Sequence, residues 1–261
     1  MKQATRTLAR RIVGAIAILV IALVVAAVWY VSDYYHASDA ALAIVSDDDG
    51  TTDGVSVQEL SNGAIAFVPD NPVAGLIFYP GAKVQPEAYA PLLHRCAERR
   101  ILCVLVKPRF NLAILDIAAA DGVQESFPDI HTWVIVGHSM GGVAAAEYAA
   151  RHLDAFQAIA FLAAYPATDL SGFQGSALSI FGGNDEVLDC TRYKEAATLL
   201  PADARELEIA GGNHAYFGDY GEQTGDGMAE ITREEQQTVT ADALAGLAID
   251  ALRSGGDGRT S

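Results

Sequence analysis

Cysteine is scarce in this chain of 261 residues: Cys96, Cys103 and Cys190 are the only three. No Cys-x-x-Cys and no His-Glu-x-x-His pattern occurs, so the common zinc arrangements are excluded and neither a metal nor a cofactor is expected. An odd number of cysteines permits one disulfide in an oxidising exterior and leaves one thiol over. Cys96 falls late in a helical pattern and Cys103 opens the next strand, so the two could meet. Equally, all three could be small buried apolar residues. Basic residues are also few, 17 Lys and Arg against 33 Asp and Glu, for a net charge of −16. A balance of that sign disfavours nucleic acid and anionic lipid headgroups as partners.

Charge of either sign is missing altogether from residues 12–31. Twenty apolar residues at 1.5 Å rise span about 30 Å, the thickness of a bilayer core. Lys2, Arg6, Arg10 and Arg11 precede the run, so residues 1–11 are expected in the cytoplasm and everything after the span outside. Trp29, Tyr30, Tyr34 and Tyr35 stand at its outer end, where amphipathic aromatics favour the interface. A cleaved signal peptide would carry a shorter apolar core and a small-x-small site. This run is longer, and Val28-Trp29-Tyr30-Val31 is a poor cleavage site, so an uncleaved anchor is expected. Beyond the span lie all 33 acidic residues but only 13 basic ones, a formal charge of −20.

Residues 32–54 read as a tether. The run Asp47-Asp48-Asp49-Gly50 lacks apolar periodicity, and a calcium loop there would lack its other ligand positions. Residues 55–60 and 64–68 alternate around Ser61-Asn62-Gly63, a hairpin signal. Short buried-strand patterns follow at 75–79, 102–106, 134–136, 158–162, 177–181 and 206–209. Helical patterns separate them at 87–100, 111–123, 143–150 and 191–200, and a last amphipathic helix is expected over 232–252. The alternation predicts an α/β domain over 55–253, a mostly parallel sheet covered on both faces after an antiparallel start. Residues 254–261 read as a disordered tail.

One stretch carries the chemistry. Trp133-Val134-Ile135-Val136 runs into Gly137-His138-Ser139-Met140-Gly141, and an Ala-rich stretch without Pro follows. Gly-x-Ser-x-Gly alone is a common accident; between a buried strand and a helix it predicts a nucleophile elbow with Ser139 at the bend. A serine hydroxyl needs a base to take its proton. Six histidines are available. His36 falls in the tether, His94 and His152 on helical patterns, His131 before the elbow strand, and His138 faces away from the bend. His214 follows the strand at 206–209 in the loop Ala210-Gly211-Gly212-Asn213-His214, which makes it the expected base. The acid that orients the imidazole is expected at Asp185, in the loop after 177–181, with Glu186 and Asp189 as rivals suited to solvation or helix capping. The oxyanion needs two N–H donors: Met140, directly after the nucleophile, and Ala82 or Lys83 in the turn after 75–79.

Taken together, these motifs resemble the α/β-hydrolase superfamily, in its compact group related to dienelactone hydrolases and carboxylesterases. Tyr79-Pro80-Gly81-Ala82-Lys83-Val84 resembles the oxyanion loop of that group, and Gly137-His138-Ser139-Met140-Gly141-Gly142 its elbow. Gly182-Gly183-Asn184-Asp185 resembles its acid loop, and the run from Gly211 to Gly221 its histidine loop. The order Ser139, Asp185, His214 is that of the superfamily. The resemblance implies an α/β-hydrolase fold and a serine esterase acting through an acyl-enzyme on a small-molecule ester. Two features depart from the group: no large cap domain is inserted, and the nucleophile is Ser where true dienelactone hydrolases carry Cys. The combined expectation is a membrane-anchored serine hydrolase of the cell envelope. An acyltransferase on an envelope acceptor and a noncatalytic envelope-binding protein on the same fold are the alternatives.

Overall fold

The structure, a computed structural model, describes residues 2–46 and 54–257. The acidic run at 47–53 and the last residues, 258–261, lie outside the described residues. The chain divides into a unit that ends at Tyr34 and a unit that begins at Tyr35. The first unit is one helix, α1 (Lys2–Ser32). Within it Arg11–Ser32, 22 residues, is long and apolar enough to cross a membrane. At 1.5 Å per residue this is about 33 Å, and its apolar side chains are exposed, as a lipid-facing helix requires.

The second unit opens with a short helix, α2 (Asp39–Ser46). A hairpin follows, β1 (Val55–Glu59) and β2 (Ile65–Pro69), then β3 (Ala74–Tyr79), α3 (Ala90–Glu98) and β4 (Ile101–Leu105). Next come β5 (Trp133–His138), α4 (Met140–Arg151) and β6 (Ala158–Leu162). The chain ends with β7 (Ser176–Gly182), α5 (Cys190–Ala196), β8 (Arg205–Ile209) and α6 (Arg233–Asp257). The eight strands form one sheet in the order β1-β2-β4-β3-β5-β6-β7-β8. The β1–β2 and β2–β4 pairs are antiparallel and every pair from β4 onward through β8 is parallel.

Period-two alternation sorts the central strands onto two cores. Leu76, Phe78, Val134 and Val136 face α3 and α6, meeting Leu92, Leu93, Leu244 and Leu247. Ile77, Tyr79 and Ile135 face the other way, onto Ala144, Ala145 and Tyr148 of α4. With both faces covered, β3 and β5 are buried at every position, which is why their sequences read as unbroken apolar runs. Cys96 and Cys103 lie in the first core as free thiols, and Cys190 is exposed and free. Burial pushes the Cys103 thiol well up from its ordinary pKa, with the Cys96 thiol beside it.

Three segments differ from the sequence expectation. The helix expected over 111–123 is a series of 3-10 turns, Arg109–Asn111, Ala113–Leu115 and Ile117–Ala120. Phe110 and Asn111 adopt φ of 61° and 54°, and the Asp116 carboxylate accepts the Arg109 N–H at 3.0 Å. Leu112 and Asp116 also leave the helical region, at φ −129° and −146°, so the i→i+4 ladder is interrupted twice. The expected tether is shorter than 32–54, because Tyr35 through Ser46 belong to the second unit and Ala41 is fully buried there. The last helix continues to Asp257, past the expected start of the tail at 254.

Candidate active site

Parallel strands place their C-terminal ends on one edge, and four loops meet there: after β3, β5, β7 and β8. Ser139 stands between β5 and α4 with φ 52° and ψ −125°. Such a conformation costs a non-glycine residue about 1–3 kcal/mol and persists only where packing enforces it. Packing does so here. A Cβ on Gly137 would lie 2.3 Å from the Gly141 carbonyl oxygen, and one on Gly141 would lie 2.3 Å from that of Tyr79. Strand and helix therefore close on each other with no room for side chains, and the bend is forced onto Ser139. Its N–H is tied to the Leu162 carbonyl at 2.9 Å.

His214 follows β8 and is buried, 1% exposed. Its Nδ1 lies 2.8 Å from Oδ2 of Asp185, with both side chains only 2% exposed. Oδ1 of Asp185 accepts the N–H groups of Val187 and Leu188, each at 2.8 Å. The carboxylate is thus held by three donors and cannot rotate freely. Its rivals are engaged or set aside: Asp189 caps α5 by accepting from Thr191 and Arg192, and Glu186 makes no bond to His214. The backbone N–H groups of His214 and Ala215 donate to the two oxygens of Asp226, at 3.2 and 2.8 Å. The ring's other nitrogen, Nε2, is buried without a partner among the described residues. Ser139 and His214 line one pocket of about 140 Å3, without a hydrogen bond from Nε2 to the hydroxyl. Such bonds often tighten only when substrate is bound.

The loop after β3 carries the candidate oxyanion donors. The Lys83 N–H is committed to the Asn111 carbonyl at 2.8 Å, which corrects the expectation that Lys83 could serve. The Ala82 N–H donates to no protein acceptor among the described residues. The Met140 N–H opens α4, where helical geometry leaves the first amides without intrahelical partners. Of the three expected donors, Met140 and Ala82 remain available.

A buried relay holds that loop. The Gly81 N–H donates to the Tyr89 hydroxyl at 3.0 Å, and the hydroxyl lies 2.7 Å from Nδ1 of His138. A hydroxyl that accepts from Gly81 has its own proton left for His138, which makes Nδ1 the acceptor. Burial, and then the neighbouring His214, holds the His138 pKa well below the ordinary histidine value. Its ring centroid is 4.6 Å from that of His214. A neutral His138 spares the imidazolium that catalysis would form on His214 a like charge at close range. Tyr89→Phe is expected to leave Gly81 N–H and His138 Nδ1 buried and unpaired. Each such group costs about 1–3 kcal/mol, so urea denaturation should show a stability loss of that order; an unchanged midpoint and slope would remove the relay from this account.

Sequence reasoning treats Tyr89 only as a core residue of a helix and does not single out Asp226. Neither stands in a motif or a periodic pattern that marks it: Tyr89 reads as an apolar helix position and Asp226 as a loop acid. Other polar residues near the strand ends take structural partners. Lys107 pairs with Glu87 at 2.8 Å, Arg109 with Asp116 at 2.9 Å, and Asp219 with Arg233 at 2.9 Å. The Tyr220 hydroxyl donates to Gln223 at 3.0 Å. The pocket itself is lined mostly by apolar groups, among them Val143, Ala163, Ala164 and Leu188, with Tyr165 and Asp189.

A family model described as alpha/beta hydrolase family matches residues 75–238. Among curated proteins none matches the sequence. Solved structures share the fold at low identity. A dienelactone hydrolase from Anabaena variabilis superposes with a TM-score of 0.53 at 17% identity, covering 76% of this chain and 98% of its own. A predicted CIB-like hydrolase from Thermoplasma acidophilum gives 0.52 at 18% identity, covering 74% and 100%. Est1E from Butyrivibrio proteoclasticus gives 0.52 at 11% identity, covering 77% and 99%.

Proposed function

The chain belongs to the alpha/beta hydrolase family, and from that premise we propose that it is a membrane-anchored serine hydrolase cleaving carboxylic esters of small acyl groups. Ser139 attacks the acyl carbon. His214 takes the hydroxyl proton on Nε2 and returns it to the leaving alcohol. Asp185 fixes the ring so that Nδ1 carries the other proton, and it stabilises the cation. The N–H groups of Met140 and Ala82 face the oxygen on which charge develops. Water then repeats the sequence on the acyl-enzyme and releases the acid. Anchoring rests on the apolar segment Arg11–Ser32, and the basic residues before it favour a cytoplasmic N-terminus with the catalytic unit outside.

The observation that carries this reading is the 2.8 Å contact of the buried Asp185 carboxylate with His214, whose opposite nitrogen is unpartnered in a pocket shared with Ser139. The size of that pocket supports the substrate class. The pocket's volume of about 140 Å3, lined largely by apolar groups, suits an acyl group of a few carbons. Overfilling a packed site costs about 1–3 kcal/mol. Across a p-nitrophenyl ester series, kcat/KM is therefore expected to peak at acetate to butyrate and to fall about tenfold or more by palmitate. Fluorophosphonate should label the protein once, at Ser139. Folded protein that neither hydrolyses these esters nor labels would overturn the proposal.

A further inference from the structure

The geometry points to Tyr35 and Ser38 as positioning residues for the active site: the segment next to the membrane anchor ties the oxyanion loop to the histidine loop. This rests on the hydrolase reading above for its chemistry, though not for its contacts. Tyr35 stands three residues beyond the end of α1 and far outside the segment matched by the family model, 75–238.

Toward the oxyanion loop, the Tyr35 N–H donates to the Lys83 carbonyl at 2.7 Å, and the Gln85 N–H donates to the Tyr35 carbonyl at 2.9 Å. The pair forms a parallel β-bridge centred on Val84. Oε1 of Gln85 accepts the Ala37 N–H at 3.1 Å. These contacts fall one to three residues after Ala82, the donor that the loop offers. Toward the histidine loop, the Ser38 N–H donates to the Asp219 carbonyl at 2.9 Å, and the Ser38 hydroxyl donates to Oδ2 of Asp219 at 2.7 Å. The Tyr35 hydroxyl accepts the Thr224 N–H at 3.1 Å, and its ring packs on Tyr220 with centroids 5.5 Å apart. Asp219 is five residues after His214. The Ser38 hydroxyl also accepts the Ala41 N–H at 3.1 Å, so it starts α2 and binds the loop at once. α2 then packs its buried Ala41 into the core beside α3.

The two loops come from different strands, β3 and β8, and depend on one another for the reaction. An oxyanion donor and a base must both stand in register with one carbonyl group, and a shift of about 1 Å can cost about 100-fold in rate. A strap bonded to both loops removes their independent motion. In particular it adds to the restraints on the stretch from His214 to Thr224, which has no strand after it and is held also by Asp226, by the Asp219 N–H on the Ala88 carbonyl and by Arg233 on Asp219 and Gly221.

The test uses the full chain in detergent micelles. Ser38→Ala removes the Asp219 side-chain bond, and Tyr35→Ala removes the ring and hydroxyl; Tyr35→Phe keeps the ring and backbone bridge and loses only the bond to Thr224. The double variant Tyr35→Ala/Ser38→Ala is expected to lose about tenfold in kcat with KM within about twofold. Hydrogen exchange should quicken at 80–85 and at 214–224 together. Tyr35→Phe should recover most of the kcat lost in Tyr35→Ala. Unchanged exchange in both loops overturns the inference, whatever the activity. Quickened exchange with unchanged kcat also overturns it, since the strap would then hold the loops without setting the chemistry. A wild-type chain that hydrolyses no ester and takes no label overturns the hydrolase reading instead, and loop exchange then decides the strap by itself.

Discussion

Ser139→Ala is expected to lower ester turnover by about a million-fold, the loss seen when the nucleophile of a serine triad is removed, with thermal stability unchanged. Both halves of that expectation have a structural reason. The hydroxyl does not cap α4, although Ser139 occupies the residue before its first turn. Removing it therefore breaks no bond that holds the helix. The strained backbone, φ 52°, is imposed by the contact of Gly137 with Gly141 and not by the side chain, and alanine inherits it. What is lost is the only atom able to attack from that position. Turnover would fall to what binding and oxyanion donors supply alone, still about 10³–10⁴-fold above water. The check is kcat for p-nitrophenyl butyrate beside a melting curve. Turnover within tenfold of the wild type would exclude Ser139 as the nucleophile.

Much of this arrangement is legible in the sequence, and the parts that are not share a cause. The strands β3 to β6 announce themselves because burial on both faces leaves no polar residue inside them. The elbow is legible because its glycines answer a steric demand between neighbours in sequence. His214 and Asp185 can be named as candidates because each follows a strand on the edge where a parallel sheet keeps its loops. The helix expected over 111–123 fails for a local reason: apolar spacing persists there, but Phe110 and Asn111 take positive φ and Leu112 and Asp116 leave the helical region, so only isolated 3-10 turns form. The choice between Ala82 and Lys83 depends on the carbonyl of Asn111, 28 residues further along. Tyr89 reaches His138 across 49 residues and Ser38 reaches Asp219 across 181. No periodicity encodes such pairs, and a hydroxyl on an apolar helix or a serine after an anchor looks ordinary until the fold is closed. The strap is the sharpest example. Its sequence reads as spacer because its partners lie on loops.

Asp185→Asn should cost about 10⁴-fold in kcat, and the reason lies in the two amides that hold the carboxylate. Oδ1 accepts from Val187 and Leu188, so an asparagine must turn its carbonyl oxygen toward them. Its NH₂ then faces Nδ1 of His214, 2.8 Å away in the native pair, and as a donor it requires an acceptor there. The ring is forced into the tautomer with its proton on Nε2, and no lone pair is left to receive the Ser139 proton. The fold is preserved because every amide keeps its partner, whereas Asp185→Ala would strand both N–H groups and confuse lost stability with lost catalysis. Nitrogen-15 spectra of the imidazole report the tautomer directly, so the cause can be read apart from the rate. Glu186→Gln and Asp189→Asn serve as controls. Asp189 is occupied with Thr191 and Arg192, and asparagine caps a helix as well as aspartate does, so its substitution should leave both α5 and the tautomer of His214 unchanged. If Asp185→Asn kept turnover within tenfold while one of those two lost it, the acid would have to be moved, and with it the orientation of the base.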